Sequence, residues 1–140
     1  NYMKINYATI KDLDYLIKNV HVESKKIIIN KIKSKEFFIA FEEGKPVGRI
    51  MFQYFWEVIP YIELIFVEKN YRNKGIARKL LESLEKEARK RKSKYIISSC
   101  VWNEKEPQFW HKKVGFEKKG YIDGIQPEGR EVFFVKKLKK

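Results

Sequence analysis

The feature that most constrains the fold of this chain is a change of hydrophobic period within residues 61–90. An apolar run at residues 61–67 gives way to a short polar turn and to Gly75, after which apolar residues recur at helical spacing. The apolar positions of that helix are Ile76, Ala77, Leu80, Leu81, Leu84 and Ala88, and those assigned to its opposite face are Lys79, Glu82, Glu85, Lys86 and Arg89. A strand that leads into a long amphipathic helix predicts a sheet with a helix packed on it.

The remaining segments predict further strands and helices on either side of this unit. Residues 3–8 alternate apolar and polar side chains and predict a first strand, and Thr9-Ile10-Lys11-Asp12 is typical of a capping box that opens a helix through about Asn19. The other predicted elements are a helix at 22–33, a hairpin of strands at 36–42 and 46–56, a strand at 95–101, a short helix from Pro107 to Lys113 capped by Gly115, and strands at 116–121 and 131–137 joined by a loop with Gly124, Pro127 and Gly129. The predicted fold class is a mixed α/β sheet with helices on its faces.

Length and composition predict one domain spanning residues 1–140. A chain of 140 residues that is 44% hydrophobic can bury one core, and no Pro-, Gly- or Ser-rich linker divides it.

Cys100 is the single cysteine, which excludes an intramolecular disulfide and favours a cytoplasmic location. Its side chain is expected to be packed rather than to act as a nucleophile. No apolar run approaches the roughly 20 residues that span a bilayer, so no membrane partner is expected.

The charge balance allows a nucleic-acid partner but does not favour one. Lys and Arg number 31 against 18 Asp and Glu, which gives a net charge of +13. Lysines occur in nearly every block of ten residues, and only residues 86–94 and 136–140 are dense enough to form patches. A solvated, Lys-rich surface is therefore expected, and the same positive field suits a polyanionic cofactor.

The segment Arg72-Asn73-Lys74-Gly75-Ile76-Ala77 has the composition of an anion-binding site. The first N–H groups of a helix have no intrahelical acceptor, and the helix dipole adds positive potential to the charges of Arg72 and Lys74. Gly75 lets the backbone approach a phosphate oxygen without an intervening side chain. No Gly-x-x-x-x-Gly-Lys-Ser/Thr is present, so this is not a nucleotide P-loop. An ordinary helix start with solvated basic side chains remains the alternative.

Val67, Arg72, Gly75 and Ala77 lie in a strand, a turn of the form Arg-x-x-Gly-x-Ala and a long helix. In this motif the chain closely resembles the GNAT superfamily of acetyl-CoA dependent N-acetyltransferases, which has Arg/Gln-x-x-Gly-x-Gly/Ala there. A second match is Asn103 followed by Trp110-His111-Lys112-Lys113-Val114-Gly115-Phe116, where the family often has Asn and then Phe-Tyr-x-x-x-Gly-Phe. Together with the order of elements, the resemblance covers nearly the whole chain. It implies a mostly antiparallel sheet of six to seven strands, with strands 4 and 5 splayed, flanked by about four helices.

The resemblance also implies a cosubstrate and a reaction. Acetyl-CoA is expected to place its pantetheine arm on the backbone of Ile65, Phe66 and Val67 and its pyrophosphate on residues 72–77. Asn103 is expected to hydrogen-bond the pantetheine or to order its loop. A neutral primary amine of a small molecule or a peptide would attack the thioester directly in a ternary complex, and this reaction needs no metal.

Glu63 and His111 are the side chains expected to move protons. Strand alternation places Glu63 on the same face as Tyr61, and relatives of similar pattern carry an acid there, so Glu63 is the expected base. A salt-bridged or solvent-facing carboxylate is the alternative. The second motif places His111 where the family usually has a tyrosine acid; this is a departure from the pattern, and a structural histidine is the alternative.

That departure leaves a second class of function open. The chain could be a GNAT-like module that binds coenzyme A without efficient turnover, or one that docks on nucleic acid. Substrate specificity is expected from the first two helices and from the loops at 52–60 and 123–130, and a homodimer is left open.

Overall fold

The computed structural model describes residues 2–18, 22–127 and 129–139, without the side chains of residues 22 and 23. Two short 3-10 helices, Ile10–Asp12 and Lys69–Tyr71, accompany the main elements. In chain order these are β1 (Met3–Tyr7), α1 (Leu13–Leu16), α2 (Val22–Lys33), β2 (Phe37–Glu42), β3 (Lys45–Phe55), β4 (Ile59–Val67), α3 (Ile76–Lys90), β5 (Tyr95–Val101), α4 (Lys105–Lys113), β6 (Glu117–Gln126) and β7 (Gly129–Lys137). The order confirms the predicted succession of strands and helices.

The seven strands form one sheet in the order β1-β2-β3-β4-β5-β7-β6. Strand β4 pairs with β5 in parallel, with Tyr61 opposite Ile97, because the connection through α3 returns the chain in the same direction. The pairs β1–β2, β2–β3, β5–β7 and β6–β7 are antiparallel. This confirms a mixed, mostly antiparallel sheet with four helices, whereas the splaying of β4 from β5 stays a prediction.

The helix predicted after Thr9 is shorter than the sequence indicated. A 3-10 turn leads into α1, which ends at Leu16, and Asn19 lies outside the described residues. The N–H of Thr9 donates to the Asp12 carboxylate at 2.8 Å, which is one half of the predicted capping box. The helix ends in a tightened turn, since the N–H of Lys18 bonds the Tyr15 carbonyl, three residues back.

Strand β6 extends further than predicted. It continues to Gln126, so Gly124 lies inside the strand and not in the connecting loop. Gly124 has φ of 84° and lies where the register with β7 shifts between Asp123 and Gln126. The glycine therefore marks a β-bulge.

The chain divides into two compact units, and the first comprises Asn1–Phe52 and Leu64–Ser83. Its strand β2 is buried from Phe37 to Ala40, so it is covered on both faces. One core cluster of this unit consists of Ala8, Leu16, Ile28, Ile32, Phe37 and Ile39. The single-domain expectation stays a prediction.

Gly48 on β3 determines how closely the start of α3 can pack. A Cβ at this position would lie 3.1 Å from the carbonyl oxygen of Phe66, 3.3 Å from Ile76 and 3.4 Å from Leu80. Ile76 and Leu80 are buried. The beginning of α3 is therefore held against β3 and β4 at a distance that suits glycine.

The second unit comprises Gln53–Glu63 and Leu84–Lys140. Glu85 was assigned to the polar face of α3, but that assignment is wrong, because Glu85 is buried and its carboxylate accepts a hydrogen bond from Lys136 Nζ at 2.6 Å. Lys136 on β7 thus covers part of the helix face that the sequence pattern assigned to solvent, and its charge pairs with the buried Glu85. The buried apolar side chains of this unit include Leu84, Ala88, Ile96, Val114, Phe116, Val132 and Phe134.

Helix α4 ends in a Schellman motif. The N–H of Phe116 donates to the His111 carbonyl at 2.8 Å, the N–H of Gly115 donates to the Lys112 carbonyl at 3.2 Å, and Gly115 has φ of 100°. This confirms Gly115 as the cap. Pro107 lies in the first turn, as predicted, where its missing N–H would have had no intrahelical acceptor.

No helix among the described residues is both long enough and apolar enough to cross a membrane.

Candidate active site

The expected anion-binding loop joins β4 to α3 through the 3-10 turn Lys69–Tyr71. Residues 72–75 are exposed. Asn73 and Gly75 have φ of 63° and 82°, so the backbone turns through the left-handed region twice before the helix begins. Nothing lies within 4 Å of the position that a Cβ on Gly75 would take. The backbone at Gly75 therefore faces open space that a ligand group can fill.

The electrostatics of this helix start favour an anion. Carboxylates normally stabilise the first turn of a helix, but the first turn of α3 contains none and carries Arg78 and Lys79 instead. Arg72 and Lys74 add two more positive charges immediately before it. Four cations near the positive end of a helix dipole repel it and one another, and a bound polyanion relieves that repulsion. The residues present therefore fit the pyrophosphate of coenzyme A.

Aromatic rings hold the basic side chains of this loop. The Arg72 guanidinium lies 5.4 Å from the centroid of the Phe66 ring, and Lys74 Nζ lies 5.4 Å from that of Tyr71. Arg72 Nε donates to the backbone carbonyl of Val67 at 2.8 Å. The Val67 carbonyl, one of the backbone groups expected to contact pantetheine, thus already accepts a hydrogen bond from Arg72. Ile76 is buried through its side chain, so it can offer a ligand its backbone only.

The second unit contains a hydrogen-bonded chain that the sequence did not predict. The Tyr61 hydroxyl lies 2.8 Å from Ser99 Oγ, and Ser99 Oγ donates to Glu131 Oε2 at 2.6 Å. An ionised carboxylate only accepts, so the Ser99 hydrogen points to Glu131 and Tyr61 donates to Ser99. The one signal in the sequence was an acidic residue within the largely apolar run of β7.

Glu63 lies near the same phenol. It is exposed, its Oε2 accepts a hydrogen bond from Gln53 Nε2 at 3.1 Å, and strand alternation places it on the same face of β4 as Tyr61. Burial raises the pKa of Tyr61, and the charges of Glu131 and Glu63 raise it further, while the hydrogen bond with Ser99 opposes them. The structure therefore brings together two carboxylates and one phenol within the second unit.

His111 is buried, and both of its ring nitrogens are engaged. Nδ1 lies 2.6 Å from the Pro107 carbonyl oxygen, which only accepts, so Nδ1 carries the hydrogen. Nε2 then accepts a hydrogen bond from Ser98 Oγ at 2.7 Å. The ring stacks on Phe134 with centroids 4.5 Å apart, and burial lowers the pKa of His111 below 6.5. At pH 7 the neutral form of the imidazole is therefore favoured, and its two hydrogen bonds hold the ring in place.

The structure does not bring His111 and Glu63 together. Ser98 and Ser99 are successive residues of β5, so their side chains point to opposite faces of the sheet. His111 bonds Ser98, whereas Tyr61, which shares a face with Glu63, bonds Ser99. A role for His111 as the acid stays a prediction, and its contacts favour a packing role.

Two other residues singled out in the sequence lie at β5. Asn103 is exposed in the turn that follows this strand, and its expected contact with pantetheine stays a prediction. Cys100 is buried, and burial raises the pKa of its thiol to about 11, which agrees with packing and not with nucleophilic chemistry. Among the described residues, no group of three or more His, Cys, Asp or Glu side chains is arranged to hold a metal ion.

Comparison with known families identifies the chain. The sequence model of the acetyltransferase (GNAT) family matches residues 8–116, most of the chain. The chain belongs to the GNAT acetyltransferase family. The predicted resemblance is thereby confirmed at the level of the family. Comparison with curated protein sequences gave no significant match.

Solved structures share the GNAT fold over almost the whole length of this acetyltransferase. A GNAT family acetyltransferase from Bacillus cereus ATCC 10987 aligns with a TM-score of 0.83 and 20% identity, covering 100% of both chains. The PaiA N-acetyltransferase of Thermoplasma acidophilum, in complex with coenzyme A, aligns with 0.84 and 19%, covering 99% of this chain and 100% of its own. The ribosomal-protein-S18-alanine N-acetyltransferase of Escherichia coli aligns with 0.82 and 16%, covering 99% and 96%. At these identities the likeness shows the fold alone.

Proposed function

We propose that this GNAT acetyltransferase transfers the acetyl group of acetyl-CoA to the nitrogen of a primary amine on a small molecule or a peptide. The observation that carries the proposal is the start of α3, where four cations surround a helix N-terminus whose first turn has no acidic residue and where the position of a Cβ on Gly75 is open. When bound, acetyl-CoA supplies the thioester for acyl transfer and the pyrophosphate charge that suits this loop. The backbone of Ile65 to Val67 and the side chain of Asn103 are proposed to hold its pantetheine arm.

The proposed role of Glu63 is to accept a proton from the substrate ammonium. A primary amine with a pKa near 10.4 is almost fully protonated at neutral pH and must lose a proton before it can attack. Glu63 is exposed, so its carboxylate can pass that proton to solvent. Its charge also favours a cationic substrate. The coenzyme A complex of the Thermoplasma protein, which shares this fold, supports the choice of cosubstrate.

Binding of the cosubstrate is tested by thermal unfolding with acetyl-CoA, ATP or NAD. A ligand that binds only the folded state at 100 times its Kd stabilises that state by about 2.7 kcal/mol, so acetyl-CoA should raise the Tm and the other two should not. Gly75→Asp should abolish the shift, because it places a carboxylate where the phosphates bind. No shift with millimolar acetyl-CoA would contradict the proposal.

Gly44→Asp is the matched control for this experiment. Gly44 has φ of 81°, against 82° for Gly75, and nothing lies within 4 Å of either Cβ position. The two variants therefore introduce the same charge and the same backbone strain. Gly44→Asp should keep the acetyl-CoA shift, and an equal loss in both variants would place the phosphates elsewhere.

A second candidate function is a coenzyme A binding module with little turnover. The observation that favours it is the engagement of both His111 nitrogens, since His111 occupies the position of the family's usual acid. An acid is not essential, however, because a thiol with a pKa of about 8.5 leaves readily as thiolate. Thiol release with polyamines, aminoglycosides, amino acids and peptide N-termini separates the two functions: an enzyme turns over at least one amine, and a module turns over none.

A further inference from the structure

We infer that Tyr61, Ser99 and Glu131 form a proton relay that removes the proton released by the substrate nitrogen as its bond to the acetyl carbon forms. The inference rests on the proposed N-acetyltransferase function. It assigns the relay a different proton from that of Glu63, which acts on the ammonium before attack.

The observation that carries the relay is the state of the Glu131 carboxylate. Glu131 is 7% exposed, and while its Oε2 accepts the Ser99 hydrogen, its Oε1 is buried without a hydrogen-bond partner among the described residues. A buried carboxylate oxygen without a hydrogen-bond partner is unfavourable, and native structures contain few of them. Because this oxygen belongs to the carboxylate that ends the hydrogen-bonded chain, the geometry points to Glu131 as the group that accepts a proton from Ser99.

The geometry directs that acceptor towards Tyr61. The three side chains come from β4, β5 and β7, which are neighbours in the sheet. Tyr61 is held between aromatic rings, with Phe55 stacked at 5.1 Å and Phe133 at 6.2 Å between centroids. The phenol hydrogen points to Ser99, which leaves the lone pairs of Tyr61 Oη able to accept. A proton taken up at Tyr61 therefore has a continuous path to Glu131.

When the neutral amine attacks, its nitrogen gains a bond to carbon and must lose one proton. Tyr61 Oη accepts that proton as its own hydrogen moves to Ser99 Oγ, and the Ser99 hydrogen moves to Glu131 Oε2. Glu131 becomes a neutral carboxylic acid, and the electron pair of the broken C–S bond stays on sulfur. Solvent then protonates the thiolate, and Glu131 returns its proton to solvent along the same chain.

The test compares variants that interrupt the chain at each link. Glu131→Gln still accepts from Ser99 but takes up no proton, Tyr61→Phe removes the first hydroxyl, and Ser99→Ala removes the second. Each should lower kcat/KM by about 100-fold, as expected for lost acid–base catalysis, and leave the acetyl-CoA thermal shift unchanged. Ser99→Thr keeps the hydroxyl and should restore activity. The exposed Glu117→Gln is the control and should behave as the wild type.

Three readouts separate a relay from a structural contact. The double variant Tyr61→Phe/Glu131→Gln should be no slower than either single variant, because one broken link already stops the chain. The solvent deuterium isotope effect on kcat/KM should fall in Glu131→Gln, and raising the pH should partly restore its rate, since hydroxide replaces the lost acceptor.

Failure of the relay is distinguishable from failure of the proposed function. Two results would overturn the relay but not the proposed function. One is a loss of kcat/KM in the double variant equal to the product of the losses in the two single variants. The other is a Glu131→Gln variant with a lower Tm but unchanged kcat/KM. A wild type that binds acetyl-CoA but acetylates no amine in the panel would overturn the proposed function and the relay with it.

Discussion

Arg72 donates a hydrogen bond from Nε to the backbone carbonyl of Val67 at 2.8 Å, which ties the basic loop to the end of β4. The bond orients the guanidinium while its two Nη nitrogens lie outside it. An arginine fixed in this way can present the remaining donors to a phosphate at little further cost in side-chain entropy. The contact is therefore expected to preorganise the loop for its anion.

Arg72→Ala should weaken acetyl-CoA binding by about 10-fold or more, because it removes charge-assisted hydrogen bonds worth about 1.5–3 kcal/mol. Arg72→Lys keeps the charge but loses the planar set of donors, so its Kd for acetyl-CoA should lie between the Kd of the wild type and that of Arg72→Ala. Titration calorimetry measures each Kd. Lys25→Ala, an exposed cation on α2, is the control. Equal Kd values for Arg72→Ala and Lys25→Ala would show that this loop does not bind the phosphates.

Gly48→Ala should destabilise the protein by about 1–3 kcal/mol, the usual penalty for overpacking. The added methyl group would lie 3.1 Å from the backbone oxygen of Phe66, so the backbone of β4 would have to shift by a few tenths of an ångström to accept it. Gly120→Ala is the control, since nothing lies within 4 Å of its Cβ position. Urea unfolding gives both free energies. A Gly48→Ala variant as stable as Gly120→Ala would show that the start of α3 is free to shift.

The turn between β3 and β4 should become more stable with Asn-Gly in place of Trp56-Glu57. Both residues have positive φ, 53° and 63°, and the Val58 N–H bonds the Phe55 carbonyl at 3.1 Å, as in a type I′ turn. The double change should raise the free energy of unfolding by about 1 kcal/mol, because it relieves left-handed strain. Ala-Ala at the same positions keeps the strain and is the control. An equally large gain in the free energy of unfolding with Ala-Ala would mean that the side chains of Trp56 and Glu57, and not the strained backbone, destabilise this turn.

His111→Phe should lower stability and leave kcat unchanged, because it removes two buried hydrogen bonds from a ring that does not face Glu63. The pKa of His111 is lowered by burial, so the unfolded chain binds a proton more tightly than the folded one. Wild-type stability attributable to His111 is present above pH 6.5 and is lost as the pH falls below it, and His111→Phe should lack this dependence. A His111→Phe variant with lower kcat but normal Tm, rescued by His111→Tyr, would restore the role of acid.

Much of the fold was predictable because its signals are local. The boundaries of α2 and β5 agree with the sequence pattern, and α3 follows from apolar residues three and four positions apart. Glu85 could not be assigned in this way, since its partner Lys136 is 51 residues away and reaches it only after β7 has paired with β5.

In the candidate site, too, the local features could be predicted and the contacts between distant residues could not. The loop at Gly75 is contiguous in sequence, so its basic residues and its glycine could be recognised from the sequence, whereas the left-handed backbone of Asn73 was not predicted. The chain of Tyr61, Ser99 and Glu131 depends on the strand order β4-β5-β7, which no local pattern encodes. The sequence motif gave the position of His111 along the chain but not the face of the sheet on which it lies. That face follows from its bond to Ser98, because Ser98 and Ser99 point to opposite faces of β5 and Tyr61 bonds Ser99.

The proposed N-acetyltransferase activity is tested most directly by acetyl transfer with the purified wild type, with Glu63→Gln alongside it. Acetyl-CoA and the amine panel are incubated with each protein, thiol release is followed, and mass spectrometry identifies any acetylated amine. The expected result is a product carrying one acetyl group on nitrogen, with kcat/KM reduced about 100-fold in Glu63→Gln and acetyl-CoA binding retained. Acetyl-CoA binding by the wild type without acetylation of any amine would contradict it.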